Sequence, residues 1–376
     1  MKSEPLHVVI AHKIRKKIFS IEDRTNFRLE SERELCRQMG VSSITIRRAI
    51  KNLMAEGIVT SRRGSGTYIS DEVISGSRTI AVLIGHHDEG ALESPWHSKA
   101  NREFQRLLKA AGWHVRTYVL YHGNECRDER VMDILEADVK SHKIAGILSF
   151  LEFQFLRDGF KELLEELELP YLNFDYKAET NSAIVDYYSL GTMAVRWFHD
   201  NGVRDIGIIA NSLKGNSYSK YSADYFGFRN SLMEFSELST RDEWCCSIQP
   251  SISNGISAFK KIWALPEKPR GILVGDEVAF IGVAMAMTEL GLRHPQDLMI
   301  VSHCTAGSAS ELPIAPVYIA FDVLNYAAVV VDQIMRMVQH KILVTPTIRV
   351  SPMLAGNVGS KKDAKKRVNR NMEILK

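Results

Sequence analysis

Apolar residues near the start of the chain recur at Leu6, Ile10, Ile14 and Ile18, a spacing that predicts one helix with a single buried face. A second helix is predicted over "SERELCRQMG", where Ser31 supplies an N-cap, Glu34 completes an S-x-x-E capping box and Gly40 ends the helix. Next comes "VSSITIRRAIKNL", residues 41–53. Ile46, Ala49, Ile50 and Leu53 repeat at i, i+3, i+4 and i+7, so a third helix, capped by Ser42, turns one apolar face inward. Its other face opens with Ser43, Thr45, Arg47 and Arg48. The two short helices meet across a three-residue turn, which is helix-turn-helix spacing. Beyond Gly57, "IVTSRRGSGTYI" holds two short β-prone runs joined through Arg63, Gly64, Ser65 and Gly66, the pattern of a hairpin.

The pattern then changes. "SDEVISGSRT" is small and polar, so residues 71–78 are expected to be a linker. "TIAVLIG" reads as a buried strand, followed by a helix with Ala100, Phe104, Leu107, Leu108 and Ala111 on one face. "HVRTYVLY", a helix near residues 129–139, and "IAGILSF" continue the alternation, as do "LPYLNF", "DIGIIA", "GILVGD" and "LMIVSH". Apolar runs that alternate with helices predict an α/β fold of parallel sheets flanked by helices, and the repetition is long enough for two lobes.

Composition narrows the function classes. With 376 residues, 45% of them hydrophobic and 25% charged, the chain is an ordinary globular protein with room for two or three cores. No signal-like start and no run of about 18 apolar residues is present, so a cytoplasmic protein without a membrane span is expected. The five cysteines Cys36, Cys126, Cys245, Cys246 and Cys304 show no CxxC pair, which fits reduced, buried thiols and no metal site. The net charge of +3 is unevenly spread. Residues 1–70 hold 14 Lys and Arg against 7 Asp and Glu, residues 361–376 hold 7 against 2, and the rest hold 27 against 36. A basic head on an acidic body points to a polyanion partner for the head.

Helix-turn-helix units insert the N-terminal residues of their second helix into the DNA major groove, where Arg reads guanine and hydroxyls reach bases or phosphates. The polar end of the third helix, Ser42, Ser43, Thr45, Arg47, Arg48 and Lys51, is therefore expected to face double-stranded DNA, with the hairpin as a wing. Glycines at the wing tip allow close backbone approach to phosphate or the minor groove, and Arg62 and Arg63 supply charge. Gly64-Ser65-Gly66 is not a phosphate loop, because it lacks a third glycine and opens no helix.

Residues 29–69 closely resemble the winged-helix DNA-binding domain of the GntR family of bacterial regulators, and the likeness covers about the first 70 residues. It implies that Arg33 and Arg47 fall on DNA-contacting positions, with Gly64 and Gly66 at the wing tip. Two positions depart from the family pattern. Glu30 replaces the usual Pro, and Ser43 replaces a base-reading Arg, which argues against the usual operator consensus. Residues 79 to about 355 resemble the LacI/GalR-type regulatory domain, itself similar to periplasmic sugar-binding proteins, through "NGVRDIGIIA", "YFGFRNSL", "RGILVGDEVAFIGVAMAMTELGLRHPQDLMIVS" and "PVYIAFDVLNYAAVVVDQI". A GntR head on such a body is similar to the arabinose-repressor type. This resemblance implies chain crossings between lobes near Tyr176, Ser302 and Lys341, with a ligand cleft between the lobes.

Open α/β sheets bind ligands at the C-terminal ends of strands. That places His86, His87 and Asp88, the stretch 150–152, Asp175 and Asp276 as effector-binding candidates, with Trp96 as a stacking aromatic. Asp224 stands where the resemblance implies an Arg that clamps ligands, and Tyr218 and Tyr221 lie nearby. Asp224 would repel anions, so a small neutral polyhydroxylated effector, a sugar or polyol, is expected. The combined expectation is a homodimeric transcriptional repressor on a pseudo-palindromic operator, with no cofactor. Two alternatives stay open. One is a catalytic body, although no G-x-S-x-G, Walker or GxGxxG motif is present; the other is a body that dimerises and binds nothing. The basic tail, residues 356–376, is expected to be disordered.

Overall fold

The structure is a computed structural model that describes residues 5–19, 21, 27–76, 78–87, 95–122, 129–151, 153, 156–174, 178–211, 222–306 and 312–354. Its contacts divide the chain into two units. The first comprises Met1–Gly85, Leu108–Asn173 and Ile334–Val344; the second comprises His86–Leu107, Phe174–Gln333 and Thr345–Lys376.

In the first unit, helices α1 (Leu6–Phe19), α2 (Glu32–Met39) and α3 (Ser43–Ala55) bury Ile10, Ile14, Ile18, Leu35, Ile46, Ala49 and Leu53 in one core. Ser31 Oγ accepts the Glu34 N–H at 3.2 Å and Gly40 closes α2 in the left-handed region. The capping box closes only one way, because the Glu34 carboxylate turns instead to Arg37 (2.7 Å) and Gln38 (3.1 Å), a charge-assisted pairing on an open face. Ser42 caps α3 as expected, accepting the Thr45 N–H at 3.3 Å. Strands β1 (Val59–Arg62) and β2 (Gly66–Ile69) pair antiparallel as the wing, and residues 27–29 line its other edge through Leu29 N–H to Thr67 O.

The expected linker is largely a helix. Residues Asp71–Gly76 form α4, Ser70 Oγ accepts the Val73 N–H, and Val73 is fully buried in the head core. The small, polar composition of this stretch conceals one apolar anchor, Val73, and its neighbour Ile74, which packs on the same core.

The rest of the first unit is a four-stranded sheet ordered β4 (His114–His122), β3 (Thr79–His87), β5 (Gly146–Ser149), β6 (Tyr171–Leu172), with β3–β5 and β5–β6 parallel. Helices α6 (Glu129–Lys140) and α7 (Phe160–Glu166) cover it with Met132, Leu135, Val139, Phe160 and Leu164. Strand β3 runs two residues further than expected, so His86 and His87 lie within it rather than after it.

The second unit opens with α5 (Pro95–Ala110), which runs on into the first, and continues with β7 (Ala183–Val185) and α8 (Tyr187–Asp200). Its main sheet is ordered β14 (Met353–Leu354), β12 (Val317–Phe321), β11 (Met299–Thr305), β10 (Gly271–Val274), β8 (Ile206–Asn211), β9 (Cys245–Ile248), parallel throughout except for β14. Helices α9 (Ala223–Leu232), α10 (Ile252–Trp263) and α11 (Glu277–Glu289) belong to this unit, and α12 (Val323–His340) begins in it. Strand β13 (Ile348–Val350) pairs with β7. The chain changes units after Gly85, Leu107, Asn173, Gln333 and Val344, where three crossings, near Tyr176, Ser302 and Lys341, were expected; none falls near Ser302. That residue lies inside β11 between β10 and β12, so the chain has no occasion to leave the sheet there. No described helix is long and apolar enough to cross a membrane.

Helices α8 and α9 touch backbone to backbone through glycine. A Cβ on Gly227 would overlap the Tyr188 carbonyl, and one on Gly191 would overlap the Asp224 carbonyl. Gly227→Ala is expected to destabilise the second unit by about 1–3 kcal/mol through overpacking, read by urea unfolding. An unchanged midpoint would show that the two helices separate without cost.

Candidate nucleic-acid and ligand surfaces

The head presents its polar residues outward. Arg33, Ser42, Ser43, Arg47, Arg48, Lys51, Arg63, Gly64 and Ser65 are exposed, and Thr45 and Gly66 are half-buried. The wing turn is set by glycine: Gly64 has φ +74° and Gly66 φ +126°, and Ser65 N–H bonds back to Arg62 O. A Cβ on Gly66 would also come within 2.7 Å of Arg28 Nε. Arg62 lies over the Tyr68 ring at 4.5 Å, and the Tyr68 and Ser65 hydroxyls bond at 2.7 Å, which steadies the tip.

Two features of this surface are absent from the sequence reading. Glu32, in the first turn of α2, accepts a hydrogen bond from Arg47 Nε at 2.8 Å, while no hydrogen bond of the terminal guanidinium nitrogens of Arg47 is seen among the described residues. Ile44 is 64% exposed at the open end of α3. Glu32 had no visible partner in sequence because Arg47 lies 15 residues away.

In the second unit, parallel pairing brings the ends of β8, β10, β11 and β12 to one edge. Asp276 caps α11, and both cap bonds fall on one oxygen: Oδ1 accepts Val278 N–H at 2.8 Å and Ala279 N–H at 2.9 Å. No hydrogen bond to Oδ2 is seen among the described residues. Burial raises the Asp276 pKa against these two bonds. The next residue, Glu277, accepts the Thr305 hydroxyl at 2.7 Å and the Thr305 N–H at 3.0 Å, and burial raises its pKa as well. Asp224 is fully buried. It accepts from the Ser222 hydroxyl and from Asn211 N–H, it occupies the space a Cβ on Gly275 would need, and desolvation pushes its pKa up to about 6. Its burial makes Asp224 a support for the Asn211–Gly275 edge.

Next to these acids lies an aromatic group. Tyr187 meets His303 at 5.7 Å and Phe321 at 5.1 Å between ring centroids, and Trp96 packs on Phe321 and Tyr326. His303 is buried with neither ring nitrogen hydrogen-bonded among the described residues, and burial drops its pKa to about 3, so the imidazole is neutral at ordinary pH. Trp96 Nε1 and Asn211 Oδ1 are likewise buried without partners among the described residues. Such orphan groups are rare in folded proteins and each costs free energy until something satisfies it. Lys99 Nζ donates to Ala306 O at 2.5 Å and is the cation felt by Glu277.

Of the sequence candidates, Trp96, Asp224 and Asp276 thus belong to the second unit's sheet edge or its packing. Trp96 is buried among aromatics rather than presented as an open stacking face. Phe150 is buried at the end of β5 in the first unit. Asp88, Glu152, Asp175, Tyr218 and Tyr221 lie outside the described residues, as do the side chains of His86 and His87 and the tail. His303, Tyr187, Asn211 and Glu277 were missed, because only the pairing of distant strands brings them together. No cluster of three or more His, Cys, Asp or Glu among the described residues is arranged to hold a metal.

Comparison with known proteins bears on both surfaces. Residues 6–69 match the model of bacterial regulatory proteins of the gntR family, and residues 195–355 match the periplasmic binding protein-like domain. The chain thus joins a segment that matches the gntR-family model to one that matches the periplasmic binding protein-like model. Over 124 residues it is 31% identical to the HTH-type transcriptional repressor PurR of Pectobacterium carotovorum, covering 33% of this chain and 35% of that protein. To the Klebsiella pneumoniae PurR it is 25% identical over 192 residues, covering 50% and 54%. The chain therefore spans about a third to a half of the length of these curated relatives. Among solved structures, a LacI-family regulatory protein from Chloroflexus aggregans superposes with a TM-score of 0.61 at 16% identity, covering 74% of this chain and 96% of that one. A CelR–cellobiose complex gives 0.60 at 14%, covering 84% and 90%, and a LacI-family regulator from Arthrobacter in complex with lactose gives 0.58 at 17%, covering 73% and 97%. At these identities the likeness establishes the fold alone.

The neutral His303 has a measurable consequence. Its folded pKa lies below the unfolded value, so the unfolded chain binds the extra proton between about pH 6.5 and 3, and stability falls as pH drops through that window. Asp224, with its raised pKa, contributes in the opposite sense, but equally in wild type and in a His303 variant. Between pH 7.5 and 5, wild type is expected to lose about 2 kcal/mol more than His303→Gln in urea unfolding. Equal losses would mean that His303 takes up its proton in the folded state.

Proposed function

We propose that this chain is a ligand-responsive transcriptional regulator, a repressor, acting as a homodimer on a pseudo-palindromic operator. One observation carries the reading: a single chain joins an exposed, polar-ended α3 on a GntR-like head to a periplasmic binding protein-like body whose sheet edge collects polar groups that are unpaired among the described residues. The relatives are named repressors, and two structural neighbours hold cellobiose and lactose. We read the body as a binder of a small neutral polyhydroxylated molecule. Asp276 Oδ2 and Asn211 Oδ1 accept hydroxyl donors, Trp96 Nε1 donates, and Asp276, Glu277 and Asp224 together disfavour an anion. No arrangement of these groups provides an activated nucleophile, so binding rather than turnover is the role assigned.

On the DNA side, Arg47 with Nε held by Glu32 keeps its terminal nitrogens for the paired acceptors of guanine, Ile44 suits a thymine methyl, and Lys51 and Arg63 suit phosphates. Arg47→Ala is expected to cost about 1–3 kcal/mol on the selected operator and to relax base preference, while Lys51→Ala and Arg63→Ala lower affinity uniformly and flatten the salt dependence. Glu32→Gln should lower the ratio of specific to random binding, although it removes a negative charge from the DNA face. Parallel gel-shift titrations on operator and random duplex distinguish these outcomes, and equal losses for Arg47→Ala on both would reduce Arg47 to a phosphate contact.

On the ligand side, a thermal-shift screen of the full chain against monosaccharides, disaccharides and polyols tests the effector class, since a ligand at 100 times its Kd adds about 2.7 kcal/mol. Asp276→Asn retains an oxygen for the α11 cap and replaces Oδ2 with an amide donor. Its melting temperature should stay near wild type while affinity for the sugar found in the screen falls about tenfold or more. Unchanged affinity would leave Asp276 as a cap alone.

A further inference from the structure

The head is anchored to the sheet of the first unit at two places. The first is the chain itself. Helix α4 is part of the head, because Val73 is buried in the head core, Ile74 packs on it, and the Ser70 hydroxyl both donates to Gly57 O and accepts the Val73 N–H. Past Gly76, Arg78 O already accepts the His114 N–H at 2.8 Å and Thr79 O accepts the Ala145 N–H at 2.8 Å, so the chain is committed to the sheet. One residue in the sequence, Ser77, separates the two commitments.

The second place is a ring contact. Phe19, the last residue of α1, stacks on His142 with centroids 3.6 Å apart and planes at 28°. Phe19 also packs against the head core, so its ring spans head and sheet. His142 sits on a firm base. It adopts φ +54° in the turn after α6, its N–H bonds to Val139 O, and the next residue, Lys143, bonds through its N–H to Asp138 O. Asp138 is itself buried and accepts the Tyr118 hydroxyl at 2.7 Å and Arg116 at 2.8 Å. A second attachment away from the linker restricts the rotation that a single linker would leave. A ring pair of this kind shifts a docked-to-free equilibrium by roughly two- to twelvefold, and the one-residue connection keeps the partners close enough for it to act.

We propose that the Phe19–His142 stack is an intramolecular latch that makes the DNA-binding head and the first unit's sheet one rigid body, so that a displacement of that sheet moves α3 with it. The latch itself needs nothing from the proposed function; only its consequence on DNA rests on that reading. The two can therefore fail separately.

The test uses the full chain, labelled with 15N and deuterium, without DNA or ligand. Relaxation of backbone amides in α3, such as Ile46 and Ile50, is compared with that in β5, such as Ile147 and Leu148, for wild type, Phe19→Leu and His142→Asn. Leucine keeps an apolar side chain against the head core, and asparagine tolerates the positive φ of His142 while removing the ring. Wild type should show one correlation time for both sets. In both variants the α3 value should fall by roughly twofold or more while β5 stays unchanged. A wild-type head that already tumbles faster than the sheet would overturn the proposal, as would a single shared correlation time in both variants. Urea unfolding of each variant checks that the head core remains intact.

Discussion

The parallel pairing of β8, β10, β11 and β12 governs what the second unit can offer a ligand. Gly271 sits opposite Ile206 on one side and Met299 on the other, Val274 opposite Ile209 and Ser302, and Thr305 opposite Phe321. With that register, the ends of the strands arrive together and the next residues of each leave in the same direction. A slip of one residue in β11 would exchange His303 for a neighbour facing the opposite side of the sheet and take Thr305 away from Glu277. The register is secured by a nearly continuous apolar interior, including Ile208, Ile209, Ile272, Leu273, Ile300 and Val301, all essentially without solvent exposure.

Electrostatics at that edge follow from the burial. Three carboxylates gather near Tyr187, and desolvation raises the pKa of each, as it raises that of Tyr187. Backbone N–H groups and hydroxyls, rather than cations, do most of the compensating: α11 supplies two N–H bonds to Asp276, and Thr305 supplies two bonds to Glu277. The helix N-terminus adds its own partial positive charge where Asp276 and Glu277 stand. The result is a group of buried hydrogen-bond acceptors beside a wall of aromatic rings. A neutral imidazole inside that wall can both donate and accept, which an additional carboxylate could not do.

Much of this was legible in the sequence, for reasons specific to each element. The head was readable because its helices are local: the spacing of Ile46, Ala49, Ile50 and Leu53, the Ser42 cap and Gly40 all act within a few residues. The major strands were readable because parallel strands buried on both faces appear as unbroken apolar runs. Short elements such as β7, β13 and β14 were not, since two or three residues carry no periodicity. Asp276 was found because it follows an apolar run, and it caps α11 through Oδ1 alone. His303 was hidden inside the run "LMIVSH", where nothing local marks an unpaired imidazole. Asp224 was expected beside a ligand because it stands where the resemblance implies an Arg, but its side chain is fully buried against Gly275 and Asn211. The Glu32–Arg47 and Phe19–His142 contacts span 15 and 123 residues and could come only from the fold.

The burial of Val73 also bears on how such a chain can be assembled from parts. A boundary drawn by composition would fall after Ser70, yet a head excised there loses a core residue and exposes the apolar surface it covered. The join that leaves both cores whole lies between Gly76 and Arg78. Gene fusion or recombination between regulators of this design is therefore confined to a narrow stretch, and a head transplanted with its own α4 but without the counterpart of His142 would inherit a tether and lose its orientation.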